Sequence, residues 1–110
     1  MIYFYNKLVR DKVIDIIKGK GHKCEYRKLK KEEYHKELDK KLIEEANEVI
    51  ESHTAGEIGD LMQVVKTMMR EYNISYEEVK SEMEQKEITN GAFDEMLFLI
   101  SVEEKDKERE

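Results

Sequence analysis

The sequence predicts an all-α chain, a helical bundle of about four helices around an antiparallel central pair, with a small two-stranded β element beside it. Three observations carry this. Proline and tryptophan are absent and only five glycines punctuate 110 residues, while Glu, Lys, Leu, Ile and Met are plentiful, a helix-favouring composition. Apolar residues recur at three- and four-residue spacing through the middle of the chain, as in Leu38, Leu42, Ala46 and Val49. Two helix-start signals, Thr54-x-x-Glu57 and Ser75-x-x-Glu78, separate successive stripes.

Residues 1–6 read as an extended lead-in. Leu8 to Ile17 reads as a first helix with Leu8, Val9, Val13, Ile14, Ile16 and Ile17 on its apolar side, stopped by Gly19-Lys20-Gly21. His22 to Leu29 reads as a short strand, because Cys24 and Tyr26 alternate with Lys23, Glu25 and Arg27. The second helix spans Lys31 to Ser52. The third spans Ala55 to Tyr72, with Ile58, Leu61, Val65, Met68 and Tyr72 as its stripe. The short connection between them makes the two helices antiparallel neighbours.

Asn73-Ile74 breaks the third helix. The fourth opens at Ser75 and runs to Ile88, followed by a turn at Thr89-Asn90-Gly91-Ala92. Met96 to Val102 is either an edge strand pairing with 22–29 or a docked tail. The expected organisation is one domain over 1–102 and a charged tail over 103–110.

Charged residues make up 42% of the chain and the net charge is −6, which argues against a general nucleic-acid binder. No run is long enough to span a membrane, and Met1 to Lys7 lacks the apolar core of a secretory leader. Cys24 is the only cysteine, so no intrachain disulfide forms and a reducing cytoplasm is the expected location.

Two acidic motifs carry the chemistry. Glu44, Glu45 and Glu48 form E-E-x-x-E on the second helix, and Glu57 and Asp60 form E-x-x-D on the third. At about 100° per residue the first three fall within one arc, beside the apolar stripe. Carboxylates pointed at one site repel each other unless a cation is present, and hard oxygen donors suit Mg²⁺ or Mn²⁺. The competing reading is an ordinary solvated acidic face.

Lys7, Arg10 and Lys12 open the first helix as candidate phosphate contacts, against an ordinary helix start with an Arg10–Asp11 pair. Lys86, near Asn90-Gly91-Ala92-Phe93, is a further candidate, against a solvated lysine with Phe93 as a core plug. Glu32-x-x-His35 occurs once, and di-iron chemistry needs the motif twice, so His35 is expected at the surface. Met62, Met68, Met69 and Met83 are expected as core or subunit-contact filler.

Taken together, these residues resemble the all-α nucleoside triphosphate pyrophosphohydrolases, the MazG-like and phosphoribosyl-ATP pyrophosphohydrolase-like proteins. Tyr5 to Val13 looks like the YNKLVRDKI opening of one subgroup. Lys41 to Glu48 and Glu57 to Asp60 look like the family's paired acid motif. Lys86 to Phe93 looks like the subgroup's closing K-x-x-x-R-G-G-F, with Asn90 and Ala92 in place of Arg and Gly, and Ile14 stands where the subgroup often has proline.

The resemblance implies Mg²⁺-dependent hydrolysis of a nucleoside triphosphate to the monophosphate and pyrophosphate, in a house-cleaning role. It implies Glu44, Glu48, Glu57 and Asp60 as metal ligands and Glu45 as the catalytic group at the water or a further ligand. Lys7, Arg10, Lys12 and Lys86 would contact the nucleotide. It also implies a homo-oligomer, a dimer or larger. The alternative is a non-catalytic helical module of the same fold that binds a nucleotide or a protein.

Overall fold

The computed structural model describes residues 1–106. It holds four α-helices, α1 (Val13–Gly19), α2 (Lys31–Ser52), α3 (Ala55–Glu71) and α4 (Tyr76–Asn90), and no strand among the described residues. Contacts gather the chain into two units, Met1–Ser75 and the residues from Tyr76 on.

In the first unit α2 and α3 form an antiparallel hairpin joined by His53 and Thr54 alone. His53 turns the chain at φ 29°, and its backbone N–H donates to the Val49 carbonyl at 2.8 Å. Thr54 then takes an extended conformation and its hydroxyl accepts from the Glu57 backbone N–H at 3.2 Å. Such a cap contributes about 1 kcal/mol. The expected N-cap is therefore formed, and it fixes the first turn of α3, where Glu57 and Asp60 stand.

The helix ends also follow the sequence signals. After α1, Gly21 adopts φ +80°, Gly21 N–H donates to Lys18 O at 2.9 Å and His22 N–H to Ile17 O at 3.3 Å. After α3, Asn73 adopts φ 55° and the same pair of bonds forms, Asn73 to Arg70 O at 3.3 Å and Ile74 to Met69 O at 2.8 Å. This is the left-handed closure that glycine and asparagine permit.

Two residues are buried among those described, Leu38 at 2% and Val64 at 8% exposure. On α2 the expected stripe holds: Leu42, Ala46 and Val49 are half-buried around Leu38. On α3 the face is turned by one residue from the expected stripe. Val64 is buried and Val65 exposed, and Glu57, Asp60, Leu61, Met68 and Glu71 share the inner side. Counting apolar residues favoured 58-61-65-68-72. The helix instead turns inward Asp60, which pairs with Arg10, and Glu71, which pairs with Lys31 and His35.

That turn leaves an apolar side open. Ile43, Ile50, Ile58, Val65 and Tyr72 are exposed, and each follows an inner-face residue, so each sits about 100° round its helix. Because the helices are antiparallel, both rotations lead to the same side of the hairpin. Exposed Met62 extends it.

Other expectations are corrected. The first helix begins at Val13, not Leu8: residues 7–10 stay non-helical, and Lys7 and Arg10 reach acids 37 and 50 residues away. The two-stranded β element does not form. Residues 22–29 are held by local contacts instead, with Arg27 paired to Glu33 at 2.7 Å and Lys18 over the Tyr26 ring at 5.4 Å. In the second unit α4 runs through Thr89 and Asn90, and the turn reduces to Gly91 at φ +81°, whose N–H donates to Glu87 O at 3.0 Å. Phe93 and the apolar residues of 96–102 are exposed, neither plug nor paired strand. Of the expected tail, 103–106 lack regular structure and 107–110 lie outside the described residues.

Candidate metal centre

The turn end of the hairpin gathers the acids. Glu45 on α2 and Glu57 and Asp60 on α3 each offer a carboxylate oxygen within 4.8 Å of the other two. All three are half-buried. Glu48 stands close enough to Glu57 for its charge to act on that carboxylate. The Glu57 pKa is raised by desolvation first, then by the charges of Glu48, Asp60 and Glu45.

Glu44 is placed differently. One residue from Glu45, it points about 100° away round the helix and is held by Lys7 at 3.0 Å and Lys41 at 3.2 Å. Its pKa is lowered, chiefly by the Lys7 hydrogen bond, and the Lys7 pKa is raised in return. Lys41 also reaches Glu45 at 3.4 Å. Arg10 donates to Asp60 at 2.7 Å. Lys12 heads α1 and makes no ion pair among the described residues, nor does Lys86 on α4.

Five carboxylates thus meet three cations, Lys7, Arg10 and Lys41, an excess of two negative charges. One divalent ion carries that charge. The donors are all carboxylate oxygen, the set that Mg²⁺ and Mn²⁺ prefer. Two ligands on one Mg²⁺ lie at most about 4.2 Å apart, so the cluster closes onto an ion with small side-chain shifts. The residues present fit the ion.

The far end of the hairpin carries a feature the sequence reading missed. Glu71 accepts from Lys31 at 2.6 Å and meets His35 Nε2 at 3.2 Å. The His35 ring lies 5.0 Å from that of Tyr72, so His35 is half-buried rather than a surface residue. The Glu71 pKa is lowered, by Lys31 first and His35 second. The seven-residue spacing of Glu57, Val64 and Glu71 does not single the clasp out, because Ile58, Val65 and Tyr72 repeat in the same way and are more apolar.

No family model, no curated protein and no solved structure matches this chain. No helix among the described residues is long and apolar enough to cross a membrane.

Proposed function

We propose that this chain is a Mg²⁺-dependent nucleotide pyrophosphohydrolase, acting in the cytoplasm to clear unwanted nucleotides. The observation that carries the reading is the convergence of Glu45, Glu57 and Asp60 from two helices, with Glu48 beside them. The motif resemblance supplies the reaction. Water adds across the α–β phosphoanhydride, the bridging P–O bond breaks, and nucleoside monophosphate and pyrophosphate leave.

Glu45, Glu48, Glu57 and Asp60 would hold Mg²⁺ or Mn²⁺. Such an ion neutralises phosphate charge and lowers the pKa of an attacking water. Glu45 also orients that water and receives its proton; Lys41, at 3.4 Å, holds the carboxylate in place for this. Glu44 keeps Lys7 and Lys41 positioned at the edge of the cluster. Lys7 and Arg10 supply positive charge to the phosphates from one side, and Lys12 is a further phosphate contact.

Metal-stripped protein should release pyrophosphate with a monophosphate co-product only when Mg²⁺ or Mn²⁺ is restored. The assay runs over canonical and modified NTPs and dNTPs and phosphoribosyl-ATP. Glu45→Gln should lower turnover by about 10²–10⁴-fold with unchanged circular dichroism. Release of orthophosphate alone would refute cleavage at the α–β bond. Metal binding without turnover on any nucleotide would favour the non-catalytic module.

The same reading has the chain working as a homo-oligomer. The apolar side built by Ile43, Ile50, Ile58, Met62, Val65 and Tyr72 is the area a second copy would cover. Light scattering should give at least a dimer for the native chain. Ile50→Lys with Met62→Lys should give a monomer.

A further inference from the structure

We propose that Lys7 and Arg10 form an exchangeable strap. They compete with a divalent cation for the acid cluster, and they move to the phosphates when a nucleotide arrives. The inference rests on the metal reading above and assigns a regulation to that site.

The strap is tied to both helices by side chains alone. Lys7 Nζ lies 3.0 Å from Glu44 on α2, and Arg10 Nη2 lies 2.7 Å from Asp60 on α3. Asn6, at φ 46°, turns the chain immediately before Lys7, and residues 1–10 have no regular structure. Both cations are exposed. Arg10 has five N–H donors and gives one to Asp60, so it can pivot by breaking one bond. Exposed ion pairs are weak and exchange readily.

Charge sets the direction of the exchange. With Lys7, Arg10 and Lys41 in place the cluster has an excess of two negative charges, as counted above. An arriving divalent ion cancels that excess and repels the two strap cations. Asp60 belongs both to the converging trio and to the Arg10 pair, so ion and guanidinium draw on one carboxylate. A nucleotide triphosphate then offers Lys7 and Arg10 a denser anion than the acids they leave. Lys12 takes no part: it makes no ion pair among the described residues.

The test is a Mn²⁺ titration of the full chain, followed by calorimetry, on three proteins. These are the native chain, Lys7→Gln with Arg10→Gln, and a control, Lys20→Gln with Lys23→Gln. The control removes the same charge from residues that make no ion pair among those described. The strap variant should bind Mn²⁺ about three- to tenfold tighter than the native chain, and the control should not. Equal affinities, or weaker binding by the strap variant, overturn the inference. Absence of Mn²⁺ binding by all three removes the metal reading and the strap with it.

Amide exchange supplies the second readout. In the native chain, saturating Mn²⁺ should speed exchange over residues 5–12, and added α,β-methylene ATP should slow it again. Unchanged or slower exchange with Mn²⁺ overturns the competition. Failure of the nucleotide to restore protection overturns the transfer to phosphate.

Discussion

The two ends of the α2–α3 hairpin put the same residue type on the same helix face and reach opposite electrostatic states. At the turn, Glu57 and Asp60 meet Glu45 and Glu48 across the pair, and their cations come from the side, from Lys7, Arg10 and Lys41. At the far end Glu71 meets two bases, Lys31 and His35. The Glu57 pKa rises and the Glu71 pKa falls. A half-buried acid on an inner face is therefore not by itself a functional sign. The ratio of acids to cations around it separates a site left short of positive charge from a clasp that is complete.

The strongest way to break this comparison is to remove one acid from each end and add the ion. Native protein should gain thermal stability in Mg²⁺ or Mn²⁺, by about 2.7 kcal/mol at one hundred times the dissociation constant. Glu57→Gln should lose most of that gain, and in metal-free buffer it should melt no lower than the native chain, because it removes a repelled charge. Glu71→Gln should melt lower in metal-free buffer, because Lys31 and His35 lose their shared carboxylate, yet keep the gain from metal. Paired melting curves check both. Equal metal gains in the two variants would show that the ends do not differ as described.

Much of this was legible in the sequence where a residue acts locally. Thr54 and Asn73 mark helix ends by their own hydrogen bonding and backbone preference, so α2 and α3 fall where the pattern places them. The rotation of α3 was not legible. The stripe through Ile58, Val65 and Tyr72 is more apolar than the true inner face through Glu57, Val64 and Glu71. What turns the helix is the supply of partners on α2 and in the N-terminal segment, which no window of α3 contains. The start of α1 escaped for the same reason: Lys7 and Arg10 bond to acids distant in sequence. The segment over 22–29 has the right alternation but no second strand to pair with among the described residues. The five acids were legible as a set, whereas the separation of Glu44 from Glu45 appears only once Lys7 and Lys41 are seen beside Glu44.

The smallest expected effect is the most discriminating, because it differs in sign between the ends. Glu57 has its folded pKa raised, so between the ordinary glutamate range and that raised value the folded chain binds more protons than the unfolded one. Stability from this end rises as pH falls through the raised pKa and levels off once the unfolded chain is protonated too. Glu71 has its folded pKa lowered, so its contribution is fully present above the ordinary range and is lost as pH falls through the lowered value. Acidification from neutrality should therefore first favour the turn end and only later cost the far end. Melting temperatures measured across pH for the native chain, less those of Glu57→Gln and of Glu71→Gln, should show the two slopes in separate windows. Saturating Mg²⁺ should erase the upper window and leave the lower one, since an ion at the turn holds its carboxylates charged while the Glu71 clasp lies beyond its reach.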